Sequence, residues 1–153
     1  TEERDMVTAN GPAFSPDGKT AYVNDSMPLV SWAYDVADDG SLSNRRDFLT
    51  FKPEDGYPDG MAVDVEGHIW MAFYESDKLR RFAPDGSLTE ERHLPVMRGL
   101  RPAFGGDDFS RLFLITGSQG YDEARFSREP LAGGLFEILD IAVPGVPTTP
   151  FMG

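Results

Sequence analysis

No cysteine occurs among the 153 residues, which excludes disulfides, thiolate metal sites and a cysteine nucleophile. Histidine is nearly as scarce. His68 and His93 have no His or Cys partner at metal-ligand spacing, so both are expected at the surface, one in a hairpin turn and one on an outer strand. Long apolar runs are missing too: the longest reach about five residues, against the roughly 20 that a bilayer-spanning helix needs. The opening Thr1-Glu2-Glu3-Arg4-Asp5 is no signal peptide. The expectation is a cytoplasmic protein without a membrane partner, although a chain that does not open on Met leaves room for a leader or a whole preceding segment. Basic side chains are few, 14 against 26 acidic ones, for a net charge of −12. Such a chain repels a phosphate backbone at long range, so nucleic acid is not an expected partner. The surplus carboxylates suit cation binding, though most must be solvated surface. Also absent are a Gly-x-Ser-x-Gly elbow, a Gly-x-x-x-x-Gly-Lys-Ser/Thr loop and a His-Glu-x-x-His pair.

What the chain does have is clearest between Gly56 and Phe73. Met61 to Val65 alternates in character, Glu66-Gly67 reads as a turn, and Ile69 to Phe73 is a second apolar strand, so a hairpin is expected. Asp59 stands before the first strand. Pro58 fixes its own backbone and biases Tyr57 towards an extended conformation, while Gly60 permits close backbone approach directly after the carboxylate.

The same pattern occurs 49 residues earlier, from Asn10-Gly11 through Asp17-Gly18 to Val23, and 41 residues later, from Leu100 to Thr116. After the first two copies comes another pair of candidate strands. Ser31 to Val36 leads to Arg46–Leu49, and Lys78 to Phe82 leads to Thr89–Leu94, with Asp-Gly turns between. In the third copy the interval from Gly117 to Leu131 is longer and carries a helical turn at Asp122 to Arg128, before a strand at Gly134–Ile138. A Pro-rich segment, Val143 to Gly153, follows. Four-stranded units at such a period are what a β-propeller needs, because each twisted sheet buries its faces only against neighbouring sheets. The fold expected is all-β, a single partial propeller over residues 1–153 with roughly three four-stranded blades. Propellers close with about 4 to 8 blades, so the chain should be part of a larger propeller or associate with a second copy. Trp32 and Trp70 are expected to fill the space between blades.

Asn10-Gly11-x-Ala13-Phe14-Ser15-Pro16-Asp17-Gly18-Lys19, Asp25-Ser26, Leu42-Ser43-Asn44-Arg45-Arg46, Pro58-Asp59-Gly60-Met61, Ala103-Phe104-Gly105-Gly106 and Ala132-Gly133-Gly134-Leu135-Phe136 together resemble the regucalcin/gluconolactonase family, also called the senescence marker protein family. The resemblance runs nearly end to end. It implies a six-bladed β-propeller of roughly 300 residues, of which this chain matches the C-terminal half. It further implies one divalent cation at the top of the central channel, held by a Glu of the N-terminal half together with the residues that match Asn10 and Asp59. The family's sugar-binding Arg and Asn would also lie in that other half. Asn10 and Asp59 hold equivalent positions in successive repeats, so both side chains should project from one rim towards the axis. Oxygen ligands of this kind suit Ca²⁺, Mg²⁺ or Mn²⁺, and a carboxylate also serves Zn²⁺.

Two departures from the family pattern concern the substrate. Leu100-Arg101 stands where a small polar pair is usual, so Arg101 is a candidate substrate contact or a solvent-facing cation. Ser118-Gln119-Gly120 replaces a common Ser-Ala-Arg, with Ser118 a second candidate contact. The function implied is metal-dependent hydrolysis of a small sugar lactone or related cyclic ester. Asp59 would be the proton acceptor and a ligand, and Asn10 a neutral ligand. Two other readings stand beside it: a non-catalytic Ca²⁺-binding propeller, and a structural half-propeller that dimerises.

Overall fold

The computed structural model describes residues 5–147 and is all-β apart from one short α-helix and one 3₁₀ turn. The first sheet is a meander of β1 (Ala9–Phe14), β2 (Thr20–Asp25), β3 (Val30–Val36) and β4 (Leu42–Thr50). The second repeats it with β5 (Tyr57–Val63), β6 (Ile69–Tyr74), β7 (Lys78–Phe82) and β8 (Leu88–His93). The third holds β9 (Gly99–Gly105), β10 (Arg111–Thr116) and β11 (Leu135–Ile138), with α1 (Glu123–Arg128) inserted before its last strand. Every strand pair is antiparallel and sequential. The first strands β1, β5 and β9 stand side by side, so each sheet is a propeller blade and these three line the channel.

Burial explains why β6 is apolar without alternation. Both faces of the middle blade are covered. Ile69, Met71 and Phe73 enter a core shared with Tyr22, Ala33 and Phe51 of the first blade side. Trp70 and Ala72 point the other way, into a core with Leu112 and Leu114 of the third blade. Fully burying side chains of this size contributes about 1.5–3 kcal/mol each, so the two inter-blade cores dominate the stability of the array.

Two expectations need correction. The third blade has three strands, not four, among the described residues. Instead of running beside β11, the chain after it crosses to the middle blade, where Val65 N–H donates to Pro144 O and Val146 N–H to Val63 O. Gly145 makes that crossing feasible, because a Cβ there would lie 2.1 Å from the Phe104 ring. The Pro-rich segment beyond residue 147 lies outside the described residues. Trp70 fills an inter-blade core as expected, and Trp32 lies half-buried on the open face of the first blade under the Arg45 guanidinium, 4.6 Å from its ring centroid. His93 is exposed beside Asp77, but His68 is half-buried.

Candidate metal and catalytic site

Asp59 does not precede its strand: β5 begins at Tyr57, and its register against β6 slips between Pro58 and Met61. The β1–β2 pairing slips in the same way between Asn10 and Ala13. A β-bulge of this kind leaves backbone groups unpaired and re-aims side chains, and here it turns Asn10 and Asp59 to one cavity of about 380 Å³. Ser26, Met27, Tyr57 and Tyr74 complete most of its wall. Gly60 is required behind the carboxylate, since a Cβ there would meet the Leu100 carbonyl oxygen at 2.6 Å and Arg101 Cβ at 2.7 Å.

The carbonyls freed by the β5 bulge are taken by the end of β2. Ser26 Oγ donates to Pro58 O at 2.6 Å, and Asn24 Nδ2 donates to Asp59 O at 2.7 Å. Asn10 Nδ2 in turn donates to Ser26 Oγ at 2.7 Å. Asp25, between them, faces away and accepts from Val7 and Thr8 amides, tying down the segment before β1. Asn24 and Ser26 were not legible as site residues from sequence, where Asp25-Ser26 stood only as a pattern match.

Burial pushes the Asp59 carboxyl up to about 6, only partly opposed by the Gly60 amide. Among the described residues no basic side chain pairs with it. A desolvated carboxylate without a counter-charge, beside an amide and in a cavity, fits a hard divalent cation. Among the described residues, Asn10 brings an amide and Asp59 a carboxylate to this cavity.

The other two candidates lie elsewhere. Arg101 is exposed and donates through Nη1 to Gly11 O at 3.1 Å, bridging β9 to the β1 bulge. Ser118 packs under the turn at Gly133, where an added Cβ would be 2.8 Å from its Oγ. Neither lines the cavity with Asn10 and Asp59. Closer to that cavity is a clamp that sequence reasoning missed. The Arg98 guanidinium stacks between Tyr74 (4.7 Å) and Tyr121 (4.8 Å). Glu75 accepts from both Arg98 and Arg125, fastening the α1 segment to the rim of the middle blade.

Asp64, Glu66 and His68 also bring three potential ligand atoms within 4.8 Å of one another. Asp64 is already engaged there: Oδ1 accepts from the Glu66 and His68 amides, and Oδ2 from Arg81 at 2.8 Å. Arg81 also pairs with Glu66, so this group shapes the β5–β6 turn, with a fixed guanidinium where a cation would sit.

Fold and site together define a partial propeller whose inner-strand bulges present an amide and a carboxylate to one cavity. The family model described as "SMP-30/Gluconolactonase/LRE-like region" matches residues 2–118, and the chain belongs to that family. It is 36% identical to regucalcin of Gallus gallus over 147 residues, covering 95% of this chain and 49% of that protein. Against regucalcin of Homo sapiens the identity is 33% with the same coverage. Among solved structures it is similar to a calcium-binding protein, regucalcin, of Agrobacterium tumefaciens, with a TM-score of 0.86, 29% identity, and coverage of 92% of this chain and 48% of that one. It is also similar to a gluconolactonase of Xanthomonas campestris, with a TM-score of 0.63, 32% identity, and coverage of 75% and 37%. The chain thus spans about half the length of the curated relatives it matches.

Proposed function

We propose that this chain supplies the Asn10–Asp59 half of the active site of a divalent-metal-dependent lactonase acting on a small sugar lactone or related cyclic ester. The observation that carries the reading is the desolvated Asp59 carboxyl, paired with no basic side chain among the described residues, sharing a cavity with Asn10. Likeness to a gluconolactonase supports the reaction class. The remaining ligand would come from the other half of the propeller, on the same polypeptide or on a partner chain.

A bound divalent ion would polarise the lactone carbonyl and favour negative charge on its oxygen. The protein's own part is proton handling and orientation. Asp59 accepts a proton from the water whose oxygen attacks the carbonyl carbon. The ring C–O bond then breaks, and the proton passes to the departing alkoxide, leaving a hydroxy acid. Burial holds the metal-free carboxyl at about 6, and a bound cation would lower it, so Asp59 is ionised at neutral pH and serves as the proton acceptor. Asn10 contributes an uncharged oxygen, so the negative charge that this chain brings to the site is that of Asp59.

Turnover of a lactone panel with added Ca²⁺, Zn²⁺, Mn²⁺ or Mg²⁺ tests the reading. Metal-dependent ring opening above the buffer rate is expected, and tight cation binding with no turnover for any lactone would sink it. That result would favour the second reading, a non-catalytic Ca²⁺-binding propeller, which draws support from the calcium-binding regucalcin relative.

A further inference from the structure

The hydroxyl of Ser26 lies between two groups that only one placement of protons satisfies. Ser26 is 5% exposed, and its Oγ is 2.6 Å from Pro58 O and 2.7 Å from the Asn10 side-chain amide. A hydroxyl has one proton and a carbonyl has none to give. The Ser26 proton is therefore committed to Pro58, and Ser26 can meet Asn10 only as an acceptor. Only the NH₂ end of an amide donates, so Asn10 must turn its nitrogen to Ser26 and its oxygen away.

We infer that Ser26 is a positioning residue: it fixes the Asn10 amide so that oxygen rather than NH₂ is offered to a cation, and locks that orientation to the bulge bearing Asp59. The inference rests on the metal-site reading above. Without Ser26 the two ends of the amide become nearly equivalent, and the NH₂ end repels a cation. Asn24 supports the same bulge one residue further on, through Asp59 O. The chain Asn10–Ser26–Pro58 thereby couples the Asn10 amide of the first blade to the bulge that bears Asp59 in the second.

The test uses the ¹⁵N-labelled chain, first without metal. In the wild type, one Asn10 side-chain amide proton should exchange slowly with solvent. Ser26→Ala should abolish that protection and Ser26→Thr, which keeps the hydroxyl, should retain it. Calorimetric titration of the assembly with a complete site, using Ca²⁺ and then Mn²⁺, should show affinity falling about 10–100-fold in Ser26→Ala, as for other groups that orient metal ligands, and recovering in Ser26→Thr. An Asn10 amide that exchanges freely in the wild type overturns the inference with no variant needed. Unchanged affinity in a folded Ser26→Ala overturns it as well. A protected amide in an assembly with a complete site that binds none of the cations overturns the metal reading instead, so the two failures are distinguishable.

Discussion

Asn24 reaches from the first blade to the second and donates its side-chain amide to the backbone carbonyl of Asp59, 2.7 Å away, from a position with no solvent exposure. This bond and the one from Ser26 to Pro58 are what a β-bulge between two blades needs, because the bulge has removed the ladder partners of those carbonyls.

Replacing Asn24 by Leu therefore leaves the Asp59 carbonyl without its donor. Loss of a partner from a buried polar group costs about 1–3 kcal/mol. The urea midpoint should fall accordingly, with an unchanged slope. An equal or higher midpoint would mean that the bond is dispensable to the bulge.

Asp59→Asn keeps the shape and one oxygen ligand but removes charge and basicity. In the assembly with a complete site, turnover at saturating metal should fall about 10²–10⁴-fold, the usual general-base contribution, with a smaller loss of metal affinity. Asp17→Asn is the control. Its carboxylate, in another Asp-Gly pair, is exposed and occupied by Ser15 Oγ and the Lys19 amide, so turnover should hold. Equal behaviour of the two variants would remove Asp59 from the site.

The pH dependence of stability has an unusual sign. The folded chain holds Asp59 at about 6, above the ordinary 3.8, so folding favours its protonated form. Below the ordinary value the group is protonated folded or unfolded and costs nothing. As pH rises towards about 6 the unfolded state ionises first, and stability falls. For this partly screened group the loss should not exceed about 2 kcal/mol. Metal-free wild type compared with Asp59→Asn in urea melts at pH 4, 5, 6 and 7 should lose ground steadily and then level off. Parallel curves would contradict the desolvation.

The outer faces of the two terminal blades predict association. Phe14 on the first blade is 48% exposed, and Ile115 and Leu135 on the third are 49% and 67% exposed. Apolar sheet faces of this kind are binding surfaces or aggregation liabilities. The isolated chain should show a mass above one chain by light scattering, or bind a hydrophobic dye. A dye-silent monomer with a cooperative thermal melt would count against this.

Sequence alone determined the repeat, the all-β class and the equivalence of Asn10 and Asp59, since strand periodicity and Gly-containing turns are local properties. The repeat period also pointed to a propeller, and the resemblance, now matched by the family model, added its six-bladed form and the proposal of a metal site. Other features were beyond local reading because they depend on which blade meets which. The bulges that place Asp59 within β5, the Asn24 and Ser26 hydrogen bonds that hold them, and the Glu75–Arg98–Arg125 clamp join residues far apart in the chain. His68 looked like a turn residue and became half-buried because Asp64, fully buried under Arg81, draws its backbone inwards. Trp32 and Trp70 are both strand residues, yet among the described residues only Trp70 meets a neighbouring blade on its side, and burial follows the neighbour rather than the residue.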